Sequence, residues 1–403
     1  MADTSTPHGP RALPLLIAIV VGAAALAGGL WLTKRGQETP AETVYEQKSR
    51  AARELIARHA HGAPDPVPAS SAASGTRAPE SRKYYLPPEV ASVLFPFGGT
   101  EQYDAWSYYR HKPNQRIRLP FAEHPGETFE WSTNSLGLRE DAEVAAAHPD
   151  LRILVTGDSH TDGVCENKES YSNRLEAALQ GDRPGRTVEV LNAGNGGFSL
   201  YNYLGVLEKF LDLRPDAFVV GVYGGNDFRE VLFPLAYFGR TTVEEDTPAE
   251  KQELERGRRL DARAMNQSFR SILGFRGHPQ QVKRAVDAAV ELVGEMQAIC
   301  REHSIRMLCL YIPSPTEADW QAHADVFDRF RKDLSLTDAD LRRESQMADE
   351  FLAGVRAAGT ETLDAREALV AGGGPYFWNG EFHLNLVGHE KIAEALRARI
   401  ASW

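Results

Sequence analysis

Two residues that suit nucleophilic catalysis stand far apart in the chain. Ser159 lies in the segment GDSH (residues 157–160), and His383 lies in the segment EFH (residues 381–383). A serine hydroxyl is a weak nucleophile unless a base takes its proton, and imidazole titrates near neutral pH. The pair predicts attack by Ser159 on an acyl carbon, with His383 as the general base.

Further segments offer donors for the charge that this attack creates. An attacked ester carbonyl becomes an oxyanion, and preorganised hydrogen-bond donors stabilise it. The backbone N–H of Ser159 is one candidate, a glycine of NAGNGGFS (residues 192–199) offers a second N–H, and the Asn226 side-chain amide is the third. Glycine suits such a position because it lets the backbone approach a substrate closely. We therefore expect an oxyanion hole of three donors.

The elements that position these residues alternate between strand and helix. Apolar runs of strand length occupy residues 152–157, 187–194, 217–225, 306–313 and 361–365. Helical patterns separate or follow them, and the most regular apolar face belongs to residues 281–303. This alternation predicts an α/β fold of three layers, α/β/α, with a flavodoxin-like parallel five-stranded sheet. The candidate residues then follow the carboxyl ends of the strands, where the functional groups of such sheets collect.

Taken together, these segments resemble the four sequence blocks of the SGNH (GDSL-like) hydrolase family. They occur in the family's order between Arg152 and Trp403: GDSHTDG (157–163), NAGNGGFS (192–199), YGGND (223–227) and FHLNLVGHEKIAEAL (382–396). The upstream segment NSLGLRE (134–140) resembles a lead-in found in some bacterial members. The resemblance implies a serine esterase without a cofactor, whose oxyanion hole consists of Ser159, Gly197 and Asn226.

The residue that orients His383 departs from the family pattern. The family usually places Asp three residues before this histidine, where the chain has Gly380, and some relatives place the acid two residues before it. Glu381 holds that second position, and we expect it to be the third member of the catalytic triad. Two alternatives stay open: a backbone carbonyl near Gly380 orients the ring, or Asp364 supplies the acid. Loss of the orienting acid lowers the rate of a triad without removing the role of its nucleophile.

Other polar residues of these segments have simpler structural interpretations. We expect Asp158 to brace the nucleophile turn, and we expect Asp227 and His389 to be structural. His160 adjoins the nucleophile, but neighbouring side chains in a turn diverge, so we leave it out of the catalytic set. Asp158, His160 and Asp162 lack the spacing of a metal motif such as HExxH, so no metal is expected.

The N-terminal segment Leu13–Leu32 is apolar and uncharged. A run of about 20 such residues spans a bilayer core as a helix, so we expect a single-pass membrane anchor. The alternative is a signal peptide cleaved near Ala25–Ala27. Lys34 and Arg35 follow the span and favour a cytoplasmic C-terminal side, whereas a long folded domain translocates regardless of such charges. Resemblance and anchor together favour a catalytic domain on the periplasmic or extracellular side of a bacterial envelope.

These features divide the chain into four parts. Residues 1–35 contain the N-terminal transmembrane helix, and residues 36–83 contain a juxtamembrane helix and a flexible linker rich in Pro, Ala, Ser and Gly. Residues 84–150 form an extension whose many aromatic residues pack on the core, with carbohydrate stacking as the alternative. Residues 151–403 form the SGNH hydrolase domain. Within it, residues 228–277 are either a lid insertion or a solvated helical insertion.

Composition and site chemistry together leave three functional hypotheses. The net charge of -11 and the absence of a Lys/Arg-rich run exclude nucleic acid as an expected partner. We expect hydrolysis of acyl esters through an acyl-Ser159 intermediate, with O-acetyl groups on an envelope glycan as a candidate substrate. An O-acyltransferase acting on such a glycan would use the same catalytic groups. A non-catalytic glycan-binding protein is the third hypothesis, and the missing Asp at Gly380 supports it.

Overall fold

The computed structural model describes residues 44–60, 78–370, 374–401 and 403. The predicted membrane span Leu13–Leu32 lies outside these residues, as does most of the predicted linker. Among the helices within the described ranges, none has both the length and the apolar character needed to cross a bilayer. A helix, α1, spans Val44–Ala60, within the segment 36–83 for which a helix and a linker were predicted.

Nine strands are present in the described part of the chain, and five of them form the central sheet. The strands are β1 Glu101–Asp104, β2 Tyr108–His111, β3 Arg116–Pro120, β4 Thr128–Ser132, β5 Leu151–Thr156, β6 Val188–Asn192, β7 Ala217–Tyr223, β8 Arg306–Ile312 and β9 Glu361–Asp364. The sheet is parallel throughout, with the order β6-β5-β7-β8-β9. This is the flavodoxin-like order, and it confirms the predicted five-stranded parallel sheet. The antiparallel pairs β1-β2 and β3-β4 were not predicted.

The helices of the described ranges follow in chain order. They are α1 as above, α2 Pro88–Leu94, α3 Ser159–Asp162, α4 Tyr171–Asp182, α5 Leu200–Lys209, α6 Asp227–Glu230, α7 Leu232–Tyr237, α8 Pro248–Leu260, α9 Ala262–Ala264, α10 Arg270–Gly277, α11 Gln280–Glu302, α12 Pro315–Ala318, α13 Ala324–Asp333, α14 Asp338–Leu341, α15 Arg343–Ala357, α16 Arg366–Val370 and α17 Leu386–Ile400. A π-helical turn, Met265–Phe269, joins α9 to α10. Such turns frequently occur at functional sites.

The sheet has a hydrophobic core on each face, because successive strand residues point to opposite sides. Ile153 and Val155 of β5 share a core with Leu175 of α4 and Ile392 of α17. Leu154, between them, belongs to the second core, which contains buried residues of α5, α11 and α15. The alternation builds three layers, and it leaves the carboxyl ends of the strands free to carry loops.

The extension that precedes β5 packs on the second core. Tyr84, Phe95, Tyr108 and Tyr109 are all at most 6% exposed and belong to the same cluster as Leu154. Burial of aromatic side chains on this scale supplies much of the hydrophobic stabilisation of a core. These four rings therefore serve packing.

The segment of residues 228–277 folds into helices and forms a third hydrophobic cluster. Leu254 of α8 and Phe269 of the π-helical turn pack with Phe327 and Phe330 of α13. Phe382, which directly precedes the candidate base His383, belongs to the same cluster. The insertion is therefore packed against the loop that carries the base.

Candidate active site

Four loops converge at the carboxyl edge of the sheet. The loop after β5 carries Ser159, the loop after β6 carries Gly197, the loop after β7 carries Asn226, and the loop before α17 carries His383. Ser159 Oγ lies 3.0 Å from His383 Nε2, which is within hydrogen-bond distance. The nucleophile and base named from the sequence are thus in contact across 224 residues of chain.

Asp158 holds the turn that presents the nucleophile. It is the N-cap residue of α3, and its Oδ1 accepts the backbone N–H of His160 at 2.9 Å. The other carboxylate oxygen lies 3.5 Å from Ser159 Oγ. Burial raises the pKa of Asp158 to about 7, although hydrogen bonds from His160 and from the side chain of Asn226 oppose this. Asp158 braces the turn, which is the role expected from the sequence.

A fully buried arginine from the upstream lead-in fixes the end of α3. Arg139 Nη1 donates to the Asp162 carboxylate at 2.6 Å and to the Asp162 carbonyl at 2.8 Å. Its Nη2 donates to the carbonyl of Cys165 at 3.0 Å, and its Nε donates to Asn167 at 2.9 Å. Burial would raise the pKa of Asp162, but nearby His111 and Arg139 together lower it to about 2. The conformation of the nucleophile turn therefore depends on a charge that lies outside the four sequence blocks.

The three candidate oxyanion donors lie on the turns that follow β5, β6 and β7. Ser159 begins α3, so its backbone N–H has no partner within the helix. Gly197 is exposed and has φ +76°, a conformation that glycine adopts without strain. Tyr109 holds this turn, because its hydroxyl donates to the carbonyl of Gly196 at 2.8 Å. Asn226 is half-buried on its own turn and hydrogen bonds to Asp158.

His383 is buried, and its second ring nitrogen forms no hydrogen bond of good geometry within the described residues. The backbone of Glu381 nevertheless acts on the ring as a hydrogen-bond acceptor, which is the kind of contact that the backbone-carbonyl alternative requires. Glu381 Oε2 lies 3.8 Å from His383 Nδ1, too far for a hydrogen bond. The other carboxylate oxygen of Glu381 pairs with Arg263 Nε at 3.3 Å. Burial lowers the pKa of His383 to about 4, and Asp162 and the Glu381 backbone act in the opposite direction. His383 is therefore a neutral base near pH 7.

The loop before His383 is fixed by its neighbours. Phe382 is fully buried with φ +58°, and its ring centroid lies 5.6 Å from that of Phe327. A positive φ is costly for a bulky residue and persists only where packing enforces it. Glu123 also holds this loop, since its carboxylate accepts the Gly380 N–H at 2.8 Å. The backbone on both sides of Phe382 is thereby set, and with it the direction of His383.

Sequence reasoning missed Gln267, which contacts the candidate base. Its side-chain Nε2 lies 3.1 Å from His383 Nε2, and its Oε1 lies 3.3 Å from His160 Nε2. Gln267 belongs to the π-helical turn of the insertion, which the sequence suggested only as a lid or a solvated helix. A single polar residue in a helical segment gave no signal, because its proximity to His383 arises from tertiary packing.

The remaining candidates have structural partners. Asp227 accepts the Tyr203 hydroxyl at 2.9 Å and the Tyr223 N–H at 2.8 Å. His389 Nδ1 accepts a backbone N–H from α4 at 3.2 Å. Asp364 accepts the backbone and side-chain N–H groups of Arg366, and none of its described hydrogen bonds reaches the candidate base.

A separate charged cluster lies between the start of α8 and the end of α10. Ligand-type atoms of Asp246, Glu250 and His278 lie within 4.8 Å of one another. His278 Nδ1 lies 3.2 Å from Glu244, and its Nε2 lies 3.4 Å from Asp246. Thr247 donates its N–H to Glu250 at 2.6 Å as part of a capping box. The cluster fixes the start of α8 against the end of α10.

Comparison with solved structures finds 42 matching chains. LAE5, an alpha/beta hydrolase enzyme from the metagenome of Lake Arreo, is 16% identical with a TM-score of 0.38, and the match covers 63% of this chain and 97% of LAE5. A catalytic mutant of Axe2, an acetylxylan esterase from Geobacillus stearothermophilus, is 13% identical (TM-score 0.39; 64% and 96% covered). The psychrotrophic esterase EstA from Pseudoalteromonas sp. is 14% identical (TM-score 0.38; 63% and 98% covered).

Two of these three neighbours are described as esterases. No family model matches the chain, and no curated protein matches it. TM-scores below 0.5 do not establish common function, so the chemistry assigned to the site depends on the geometry of this chain's own residues.

Proposed function

We propose that this protein is a serine esterase that hydrolyses acyl esters through an acyl-Ser159 intermediate. The observation that carries the proposal is the 3.0 Å contact between Ser159 Oγ and His383 Nε2. A second feature supports it: burial keeps His383 neutral near pH 7, and a neutral imidazole can accept the serine proton.

The mechanism follows from these positions. Ser159 Oγ attacks the ester carbonyl carbon as His383 Nε2 takes the hydroxyl proton, and the N–H groups of Ser159 and Gly197 and the amide of Asn226 stabilise the oxyanion. Collapse expels the alcohol, which receives the proton from His383. Water then attacks the acyl-serine, gives its proton to His383, and releases the acid while Ser159 regains its proton.

The finer parts of the proposal concern substrate and location. We propose short acyl esters, with O-acetyl groups of an envelope glycan as the substrate class, and a single-pass anchor at Leu13–Leu32. The family resemblance and the apolar N-terminal segment support them. The catalytic domain would then lie on the periplasmic or extracellular side, where such glycans are found.

Turnover of the full chain and its Ser159→Ala variant on p-nitrophenyl esters of increasing acyl length tests the proposal. We expect nitrophenol release that the variant lacks, with the acetyl ester preferred. Addition of an oligosaccharide acceptor separates hydrolysis from acyl transfer: acylated sugar formed at the expense of free acid would identify an acyltransferase. Equal release by both proteins, or none from the folded wild type, would contradict the esterase proposal.

A further inference from the structure

A chain of hydrogen bonds runs from a backbone amide to the candidate base. Leu384 N–H donates to His160 Nδ1 at 3.3 Å. A backbone N–H can only donate, so His160 Nδ1 must be the unprotonated nitrogen of that ring. Burial lowers the pKa of His160 well below its usual value, which keeps the ring neutral with one proton. That proton is therefore on Nε2.

The proton on His160 Nε2 fixes the orientation of the next side chain. His160 Nε2 lies 3.3 Å from Gln267 Oε1, the atom that can accept this proton. The two ends of an amide look alike in outline, and the hydrogen-bond network decides which end is oxygen. With Oε1 directed at His160, the NH₂ group of Gln267 faces His383 Nε2 at 3.1 Å. An amide nitrogen donates and cannot accept, so His383 Nε2 is the acceptor.

We propose that His160 and Gln267 are positioning residues that hold His383 in the tautomer required of a general base, with its proton on Nδ1 and with Nε2 unprotonated. The lone pair of Nε2 then faces both the Gln267 amide and the Ser159 hydroxyl, at 3.1 Å and 3.0 Å. Catalytic triads obtain this tautomer from a carboxylate hydrogen bonded to Nδ1. Here Glu381 is 3.8 Å from Nδ1 and is shared with Arg263. The inference rests on the proposed function, because it assigns these residues to the reaction of Ser159.

The insertion holds Gln267 firmly enough for this role. Tyr223 donates its hydroxyl to the Gln267 carbonyl at 2.9 Å, and its ring stacks on His160 with centroids 3.8 Å apart. Ser271 donates to the Gly225 carbonyl at 2.6 Å. A Cβ at Gly225 would lie 2.2 Å from the Gln267 carbonyl oxygen, so glycine permits this close approach. Both Gln267 and His160 are thus fixed against the loop that carries the candidate oxyanion donor.

If the hydrogen bonds from Leu384 through His160 and Gln267 to His383 ran in the opposite direction, two donors would face each other. A rotated Gln267 amide would direct NH₂ at His160 Nε2 and require the proton on His160 Nδ1. That proton would then face the Leu384 N–H, donor against donor. The charged and titratable groups that influence or adjoin His383 do not reverse this preference; they are Asp158, His160, Asp162, Glu381 with its partner Arg263, and His389.

Two substitutions of Gln267, at the centre of this chain of hydrogen bonds, test the inference in the full chain. Gln267→Glu introduces a carboxylate that accepts protons from both histidines, so His383 should move its proton to Nε2. Gln267→Met keeps a similar shape and removes both hydrogen bonds. Gln297→Glu on α11 makes the same chemical change at a more deeply buried glutamine outside the site, and it serves as the control. Circular dichroism verifies that each variant is folded.

Nitrogen-15 NMR of the histidine side chains reads the tautomer directly. The His383 signals are assigned by their loss in His383→Gln, and spectra are recorded near pH 7.5 without substrate. We expect Nδ1 protonated and Nε2 unprotonated in the wild type and in Gln297→Glu, and the reverse in Gln267→Glu. A wild-type signal with the proton on Nε2, or an unchanged signal in folded Gln267→Glu, would overturn the inference.

Kinetics with p-nitrophenyl acetate give an independent readout. We expect Gln267→Glu to lower kcat/KM at neutral pH at least 100-fold and to move the acidic limb of the pH profile upward, because the carboxylate stabilises protonated His383. Gln267→Met should lose less activity. Equal losses with an unchanged profile in both variants would mean that Gln267 only packs. If the wild type hydrolyses no ester yet carries the His383 proton on Nδ1, the esterase proposal fails, while the positioning of His383 by His160 and Gln267 is supported.

Discussion

Neutralising Glu381 tests how much its negative charge contributes to catalysis by the base His383. Glu381 Oε2 lies 3.8 Å from His383 Nδ1, where two unit charges attract by about 4 kcal/mol at an effective dielectric constant of 20. Arg263 is closer to the same carboxylate, at 3.3 Å, and offsets most of that attraction for the imidazolium. We expect a remaining effect of about 1.4 kcal/mol, so Glu381→Gln should lower kcat/KM about tenfold.

The same substitution would act differently if Glu381 were a hydrogen-bonded triad acid. Removing the charge of such an acid lowers kcat by roughly 10⁴-fold, because the histidine loses its required tautomer. The assay compares kcat/KM of wild type and Glu381→Gln on p-nitrophenyl acetate at pH 7.5. Glu176→Gln is the control, since it neutralises a partly buried carboxylate of α4 that bonds a backbone N–H of β6. A loss above about 10³-fold in Glu381→Gln alone would refute our reasoning from the 3.8 Å separation.

Three further predictions concern stability, pH and the oxyanion. Arg139→Met leaves the Asp162 carboxylate buried without the guanidinium that pairs with it, so urea unfolding should show a loss of about 3–5 kcal/mol in the free energy of unfolding. A loss below about 1 kcal/mol would contradict the stabilising role given to Arg139. Burial lowers the pKa of His383 to about 4, so the base is active above that pH. The value of kcat/KM should therefore stay level from pH 7 to 5 and fall through about pH 4. A fall centred near pH 6.5 would contradict the lowered pKa of His383. Asn226→Ala should lower kcat about 10²–10³-fold with little change in KM, and an effect confined to KM would remove Asn226 from the oxyanion hole.

The sheet could be predicted because its signals are local. β5, β7 and β8 are short apolar runs buried on both faces, and each lies within two residues of its predicted position. Chain order then places the segment GDSH after β5 and the segment EFH before α17 at the same edge, the carboxyl edge of the sheet. The contact between Ser159 and His383 needed only this topology.

The parts that escaped prediction depend on tertiary contacts. Arg139 hydrogen bonds to carbonyls and to a carboxylate at the nucleophile turn. Its sequence segment, NSLGLRE, indicated only a resemblance to the family and no role for this side chain. Gln267 approaches His383 because the insertion packs around Phe382, which no periodic pattern reveals. The choice among triad acids also required coordinates, since the separation of Glu381 from the ring depends on the φ of +58° at Phe382.

Covalent labelling of the nucleophile tests the central claim most directly. The full chain is treated with an organophosphonate ester, digested, and mapped by mass spectrometry beside the variants His383→Ala and Ser159→Ala. We predict a single adduct on Ser159 in the wild type, slow labelling in His383→Ala, and none in Ser159→Ala. An adduct on another residue, or labelling of Ser159 that does not depend on His383, would contradict the catalytic pair.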